Sequence, residues 1–285
     1  MRGTATWFTG TLGIACLAVM AALPSAPSRA VDASSLASHR AVYDLKLKRN
    51  TGKRGLQAVR GRILYDFSGS ACEGYVLQFR QVSELDSGEG RVVVSDLRAS
   101  TWEDGAAKDF RFSSQNFLNE KPHGSVDGRA ARNAGKVVVE LTKPAEKTFD
   151  LEPNIVFPTE HMRRIVEAAR EGRTLLEFPV YDGSDNGEKV YNTLTVIGQP
   201  IGPDETKPTD AAADDPALAG LKRWPVTVSY FDRAAKEGGE QTPSYAISFQ
   251  IYENGVSRAL VLDYGEFTVS GELTQLEMKP SRPCP

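Results

Sequence analysis

The chain has 285 residues, 40% of them hydrophobic and 25% charged, and its 34 Lys and Arg against 37 Asp and Glu leave a net charge of −3. With no long basic block, that balance argues against a nucleic-acid partner and against electrostatic membrane anchoring. After residue 30 no apolar run reaches the roughly 18 residues that a transmembrane helix needs, so an integral membrane protein is not expected.

The N-terminus points to export. Arg2 supplies a short positive region, and Leu12 to Leu23 is an apolar run about a dozen residues long. Small residues then occupy the −3 and −1 positions of a cut after Ala30, with a cut after Ala26 as the rival. Residues 1–30 are therefore expected to be a secretory signal peptide, and residues 31–285 one periplasmic domain. Cys16 sits within the apolar run, and Gly13-Ile14-Ala15-Cys16 lacks the Leu usual at the first position of a lipidation motif. Cleavage removes two basic residues and leaves a mature charge of −5. It also leaves two cysteines, Cys72 and Cys284. In an exported protein two cysteines are more simply a disulfide than two free thiols, and buried thiols that never meet are the alternative.

Alternation of apolar and polar residues marks most of the mature chain as strand. His39 to Arg49 places Tyr43, Leu45 and Leu47 on one face. A second strand points Val59, Ile63, Tyr65 and Phe67 inward, and a turn at Gly69-Ser70-Ala71-Cys72-Glu73-Gly74 leads to a third with Tyr75, Leu77 and Phe79. Strands follow at Arg91 to Trp102, Lys108 to Phe112 and Lys136 to Leu141, with the residues between them read as turns.

The stretch from Phe157 to Gly172 is the clearest helix. Thr159 is its expected N-cap, Glu160 lies in the positive first turn, Met162, Ile165, Val166 and Ala169 form an apolar stripe, and Gly172 stops it. Leu175 to Asp182 and Lys189 to Ile197 make a hairpin across the Gly183 to Gly187 turn. Residues 201–220, rich in Pro and Asp, read as a flexible acidic loop. Four strands then close the chain: Arg223 to Asp232, Tyr245 to Tyr252, Ser257 to Asp263 and Glu266 to Met278, with an Asn254-Gly255 turn. The fold class is mainly β. A dozen long antiparallel strands curl into a barrel, a spiral or paired sheets, with the helix packed against a concave face.

Chemistry is sparse. His39, His123 and His161 are far apart in sequence, with no paired-cysteine or His-x-His pattern, so no metal site and no cofactor are expected. No Gly-x-Ser-x-Gly elbow and no phosphate-cradling loop is present, so no catalytic residue is assigned. The densest polar group is His161 with Tyr181, Asp182 and Asp185. A carboxylate there would orient the histidine for acid–base work, whereas the simpler reading makes Asp182 to Gly187 a plain turn. Free amides in the first helical turn leave room for an anion. The strand aromatics either fill an ordinary core or wall an apolar groove that takes an acyl chain or a hydrophobic segment.

Three stretches carry a resemblance: Tyr65-Asp66-Phe67 with Gly69-Ser70-Ala71-Cys72-Glu73-Gly74-Tyr75, then Phe157-Pro158-Thr159-Glu160-His161, then Val180-Tyr181-Asp182-Gly183-Ser184-Asp185, with Cys284 at the end. On these the chain resembles the bacterial EipB family of cell-envelope integrity proteins over nearly the whole mature length. The resemblance implies a non-enzymatic periplasmic β-spiral with helices against it, and places the family's disulfide on Cys72 and Cys284. It also implies an outline similar to the LolA and LolB lipoprotein carriers. Such a bond would tie the tail to the second hairpin and keep the free edge of a spiral from unwinding. The partners this suggests are an envelope protein, a lipid or a lipoprotein. Three functions are set against one another: support of envelope integrity by binding an envelope component, lipid or lipoprotein carriage, and an envelope hydrolase built on His161.

Overall fold

The computed structural model describes residues 36–52, 55–88, 90–205, 208–212, 214–234, 241–280 and 284. The expected signal peptide, with Cys16 and both cleavage points, lies outside the described residues. In chain order the elements are β1 (His39–Asn50), β2 (Ala58–Ser70), β3 (Gly74–Asp86), β4 (Val92–Glu103), β5 (Asp109–Leu118), β6 (Lys121–Asn133), β7 (Lys136–Lys143) and β8 (Lys147–Leu151). The helix α1 (Pro158–Arg170) follows, then β9 (Leu175–Val180), β10 (Tyr191–Ile197), β11 (Arg223–Asp232), β12 (Tyr245–Tyr252), β13 (Ser257–Asp263) and β14 (Phe267–Met278).

The 14 strands among the described residues form one antiparallel sheet, ordered β8-β7-β6-β5-β4-β3-β2-β1-β14-β13-β12-β11-β10-β9. Two runs of hairpins thus spread outward from a central pair, β1 against β14, which stay in register from His39↔Met278 to Asn50↔Phe267 apart from two bulges. The sheet is not closed on itself, and its edges are β8 and β9. The chain between those edges carries α1. On the way Val156 donates its amide to the Pro179 carbonyl at 2.8 Å and accepts from the Tyr181 amide at 3.0 Å, so a short parallel bridge covers the edge of β9. Covering an edge in this way removes a template for unwanted strand pairing.

The helix lies on the sheet as its apolar stripe demands. Ile165, Val166, Ala168 and Ala169 are buried with Phe67, Tyr75, Trp224, Val226 and Ile251. Gly172, at φ +73°, ends it, and the Arg173 amide reaches back to the Ala168 carbonyl at 2.9 Å. A left-handed residue there costs glycine no steric strain.

Cys72 and Cys284 are joined, with Cα atoms 5.7 Å apart across a sequence separation of 212. The tail reaches the β2–β3 turn by crossing the start of β1, where the Lys279 amide donates to the Ser38 carbonyl at 2.8 Å and its ammonium pairs with Asp66. The bond does not hold an edge. Strand β14 is flanked by β1 and β13, so the tie sits at the middle of the sheet, away from β8 and β9.

Three strands go beyond the sequence reading, one by its length and two by their existence. β5 continues to Leu118, β6 occupies residues read as turn, and β8 was not expected at all. β6 hides because Lys121–Asn133 buries only Val126 and Ala130 among its side chains. Its Gly128 stands where a Cβ would come within 2.6 Å of the Phe112 ring and 2.8 Å of Leu141, so a strand-breaking residue is there for close packing.

The loop over residues 201–220, expected to be flexible, is seated on the sheet at its described residues. Leu218 is buried in the core beside Tyr43 and Tyr252, and the Ala212 amide donates to Leu273 at 3.2 Å. Asp210 pairs with Arg258, both side chains 7% exposed. An acid that looks solvated in the sequence is thus one end of a buried ion pair, and removing either partner alone would strand the other charge.

Candidate functional site

The inner face of the sheet is filled at one end and hollow at the other. Over β5–β7 the filling is aromatic. Phe110 is fully buried and stacks on Phe112 at 5.3 Å and Phe157 at 5.2 Å, while Tyr181 meets Phe112 edge-on at 5.7 Å. The Tyr181–Gly187 turn is pressed into this cluster. A Cβ on Gly183 would fall 2.4 Å from the Phe112 ring, and one on Gly187 2.8 Å from Val126. The buried Tyr181 hydroxyl donates to the Gly187 carbonyl at 2.6 Å and closes the turn on itself.

Between β1–β4 and β10–β13, under the first turns of α1, a cavity of about 490 Å³ stays open. Tyr65, Phe79, Tyr230, Tyr245, Ile247 and Leu260 are among its walls, with His161, Ser184 and Asp185 contributing polar atoms. Volumes of about 300–1,000 Å³ are typical of small-molecule sites. Strand periodicity supplies the walls: Ile63 and Tyr65 on β2 and Tyr245 and Ile247 on β12 recur at every second residue, so one face of each strand looks inward. Tyr230 and Tyr245 stack with ring centres 4.4 Å apart, and burial raises both phenol pKa values. A larger depression, about 950 Å³, lies over β1–β3, but it is open and lined by Asp44, Arg62 and Arg80, which already have ion-pair partners.

The start of α1 is organised by residues that the sequence reading missed. Thr159 is not the N-cap: Phe157 holds that place, and Pro158 follows with no side-chain cap. Instead the Glu103 carboxylate at the end of β4 accepts from the Thr159 amide and the Glu160 amide, each at 2.7 Å. The room expected for an outside anion is thus taken by the chain's own carboxylate, which the helix dipole favours. Burial pushes the Glu103 carboxyl up to about 7, against the two amides, which lower it. Arg132 on β6 completes the clamp: its guanidinium donates to the Ala107, Pro153 and Ile155 carbonyls and to Glu160, and lies 5.0 Å over the Phe157 ring. One signal for Glu103 was present. A helix opening on Phe-Pro leaves its amides without a local acceptor, so one must come from elsewhere.

The four sequence candidates divide between the two ends. Tyr181 belongs to the packed aromatic cluster. Asp182 caps its own turn, accepting from the Ser184 amide at 2.9 Å, and burial raises its pKa. Asp185 reaches the cavity wall but is paired with Lys189 at 2.9 Å and accepts from the Tyr191 hydroxyl at 2.7 Å. His161 also lines the cavity, 4% exposed, with the Phe178 ring edge-on at 6.0 Å. Its ring makes no hydrogen bond to a carboxylate among the described residues, and its Nε2 has no partner. Burial first, and then the Arg164 charge, lowers its pKa to about 4, so it is neutral at pH 7. A base without an orienting acid is not the geometry of a hydrolase dyad.

One open antiparallel sheet, curled over a helix and an aromatic-walled cavity, defines a β-sheet cavity protein. No helix among the described residues is long and apolar enough to cross a membrane. The chain belongs to the EipB-like family, whose model matches residues 30–280. It is 39% identical over 251 residues to the cell envelope integrity protein EipB of Brucella abortus, covering 87% of this chain and 86% of that protein. A crystal structure of a β-barrel-like protein of a domain of unknown function from Brucella abortus matches with a TM-score of 0.79 and 36% identity, over 86% of this chain and 99% of that one.

Proposed function

We propose that the protein is exported through a signal peptide over residues 1–30 and works in the periplasm, where residues 31–285 act as one domain. Its role is to support envelope integrity by binding an apolar component of the envelope, an acyl chain above all, without catalysing a reaction. The observation that carries this reading is the aromatic-walled cavity of about 490 Å³ under α1. The relative named for envelope integrity supports the cellular role, and the lack of an orienting carboxylate at His161 among the described residues supports binding over hydrolysis. A LolA-like carrier, which passes its cargo to an acceptor, is the narrower form of the same reading.

The test is complementation. Cells lacking the gene should become sensitive to detergent and to cell-wall stress, and the wild-type chain should restore resistance. Ile247→Trp, which puts bulk into the cavity from β12, should fold and be exported yet fail to restore it. Full complementation by a folded Ile247→Trp chain would overturn the proposal.

A further inference from the structure

The cavity has a closed end and a mouth, and the strands set them apart. Along β12, Tyr245, Ile247 and Phe249 are on its walls, and Ile251, the next residue on that face, is packed with α1. The helix seals this end together with Phe67 on β2 and Trp224 on β11. At the other end Ala246, near the start of β12, pairs with Asp263, the last residue of β13, so Tyr264 stands away from the helix. Among the described wall residues only Asp185 and Tyr264 are exposed. Asp185 belongs to the same end, since it accepts from the Tyr191 hydroxyl and the Tyr191 ring meets Tyr245 at 5.5 Å. Tyr264 is 41% exposed and lies against Phe267 with ring centres 5.0 Å apart. Its hydroxyl comes up to the Gln81 side chain on β3, with β14, β1 and β2 between them in the sheet. The ring thus stands across the opening.

The chemistry changes along the same line. Asp185, Gln81 and the Tyr264 hydroxyl are at the mouth, and Val228, Ile247, Phe249 and Leu260 wall the depth. An amphiphile enters such a space tail first, because a polar head carried inward would give up water for apolar side chains, whereas at the mouth it stays hydrated. Volume then limits the tail. A methylene fills about as much space as a water does in the liquid, about 30 Å³, so a cavity of about 490 Å³ holds about 16 carbons. A second chain of that length would need the same space again.

We propose that the cavity takes one acyl chain of up to about 16 carbons, tail first through the mouth at Tyr264, and leaves the polar head of a single-chain lipid outside. The site is then selective for the number and length of chains and tolerant of the head group. This rests on the reading of the cavity as an acyl site and adds its substrate class.

The purified mature chain tests both ideas separately. N-phenyl-1-naphthylamine, an apolar fluorophore, reports on the cavity itself. Lysophosphatidylcholines of 10 to 20 carbons then compete for it, each below its micellar concentration. Their affinity should rise at least about threefold for every two carbons up to about 16, as buried methylenes demand, and by less than about twofold from there to 20. Native mass spectrometry of the loaded chain should show one lipid bound. Met162→Ala adds depth beneath α1 and should move the levelling point to about 18 carbons. Tyr264→Ala clears the mouth and should release the fluorophore at least about threefold faster in stopped flow. Affinity that climbs as steeply to 20 carbons, a levelling point that Met162→Ala leaves in place, or two lipids bound would overturn the limit to one short chain. Unchanged release from Tyr264→Ala would overturn the mouth. In each of these cases the fluorophore still binds and the acyl site stands; if it does not bind at all, the acyl site falls and the chain limit with it.

Discussion

The two ends of the inner face are built from the same kind of strand and finished differently. Over β5–β7 the chain folds its own Tyr181–Gly187 turn and Phe157 into the concavity, and Phe110, Val137 and Val139 become inaccessible to solvent. Over β1–β3 and β11–β13 no described segment of the chain fills the space in this way, and Tyr65, Phe79 and Ile247 stay partly exposed to it. A wide curled sheet is therefore not hollow by necessity. This chain packs one end closely, as protein interiors usually pack, and keeps the other open.

The largest test of that contrast is truncation at matched aromatics. Phe110→Ala in the filled end should cost about 3–5 kcal/mol, because the rings stacked around it cannot close the gap. Phe79→Ala on the cavity wall should cost less than half as much, since that ring already lacks neighbours on one side. Urea denaturation of both variants checks this, and equal losses would break the distinction between the ends.

Next in size is a pH effect at the hollow end. The folded pKa of His161, about 4, lies below its ordinary 6.5. The unfolded chain therefore takes up the proton first as pH falls. The stability linked to this group is complete above pH 6.5 and is lost as pH falls through that window toward about 4, by about 3 kcal/mol in all. Glu103 acts in the opposite sense. Its folded value, about 7, lies above its ordinary 4.5, so its contribution is complete below 4.5 and is lost as pH rises toward 7. His161→Phe should leave a chain less sensitive to mild acid than the wild type, whereas Glu103→Ala should remove the opposing term and leave it more sensitive. Thermal melts at pH 4.5, 6 and 7.5 check both signs.

The smallest contrast is a single oxygen. Tyr181→Phe loses the buried bond to Gly187 and should cost about 1 kcal/mol. Tyr245→Phe removes a hydroxyl that bonds no described residue and should change stability by less than about 0.5 kcal/mol. The same melts read both.

Most of the frame was legible because it follows strand periodicity: twelve strands, their antiparallel hairpins and the helix on the sheet come from alternation, turn residues and one apolar stripe, whereas the central pairing of β1 with β14 does not. β6 was not, since its glycine answers to a ring on β5 and a leucine on β7 rather than to any local pattern. The site was legible only in part. His161 and Asp185 do reach the cavity, but Asp182 and Tyr181 serve the turn and the packed end. Glu103 and Arg132 act across the sheet, at separations of 57 and 28 residues from Glu160, and no spacing in the sequence marks such pairs. The buried role of Asp210 was hidden for the same reason, because its partner Arg258 is 48 residues away.

The central claim is that the hollow end is kept open for an acyl chain. Native mass spectrometry of the protein isolated from envelope fractions, without added detergent, measures it directly. The wild-type chain should carry additional mass matching acyl species, and Ile247→Trp, isolated in the same way, should carry none. A wild-type chain found only at its bare mass, or an Ile247→Trp chain carrying the same species, would contradict the account.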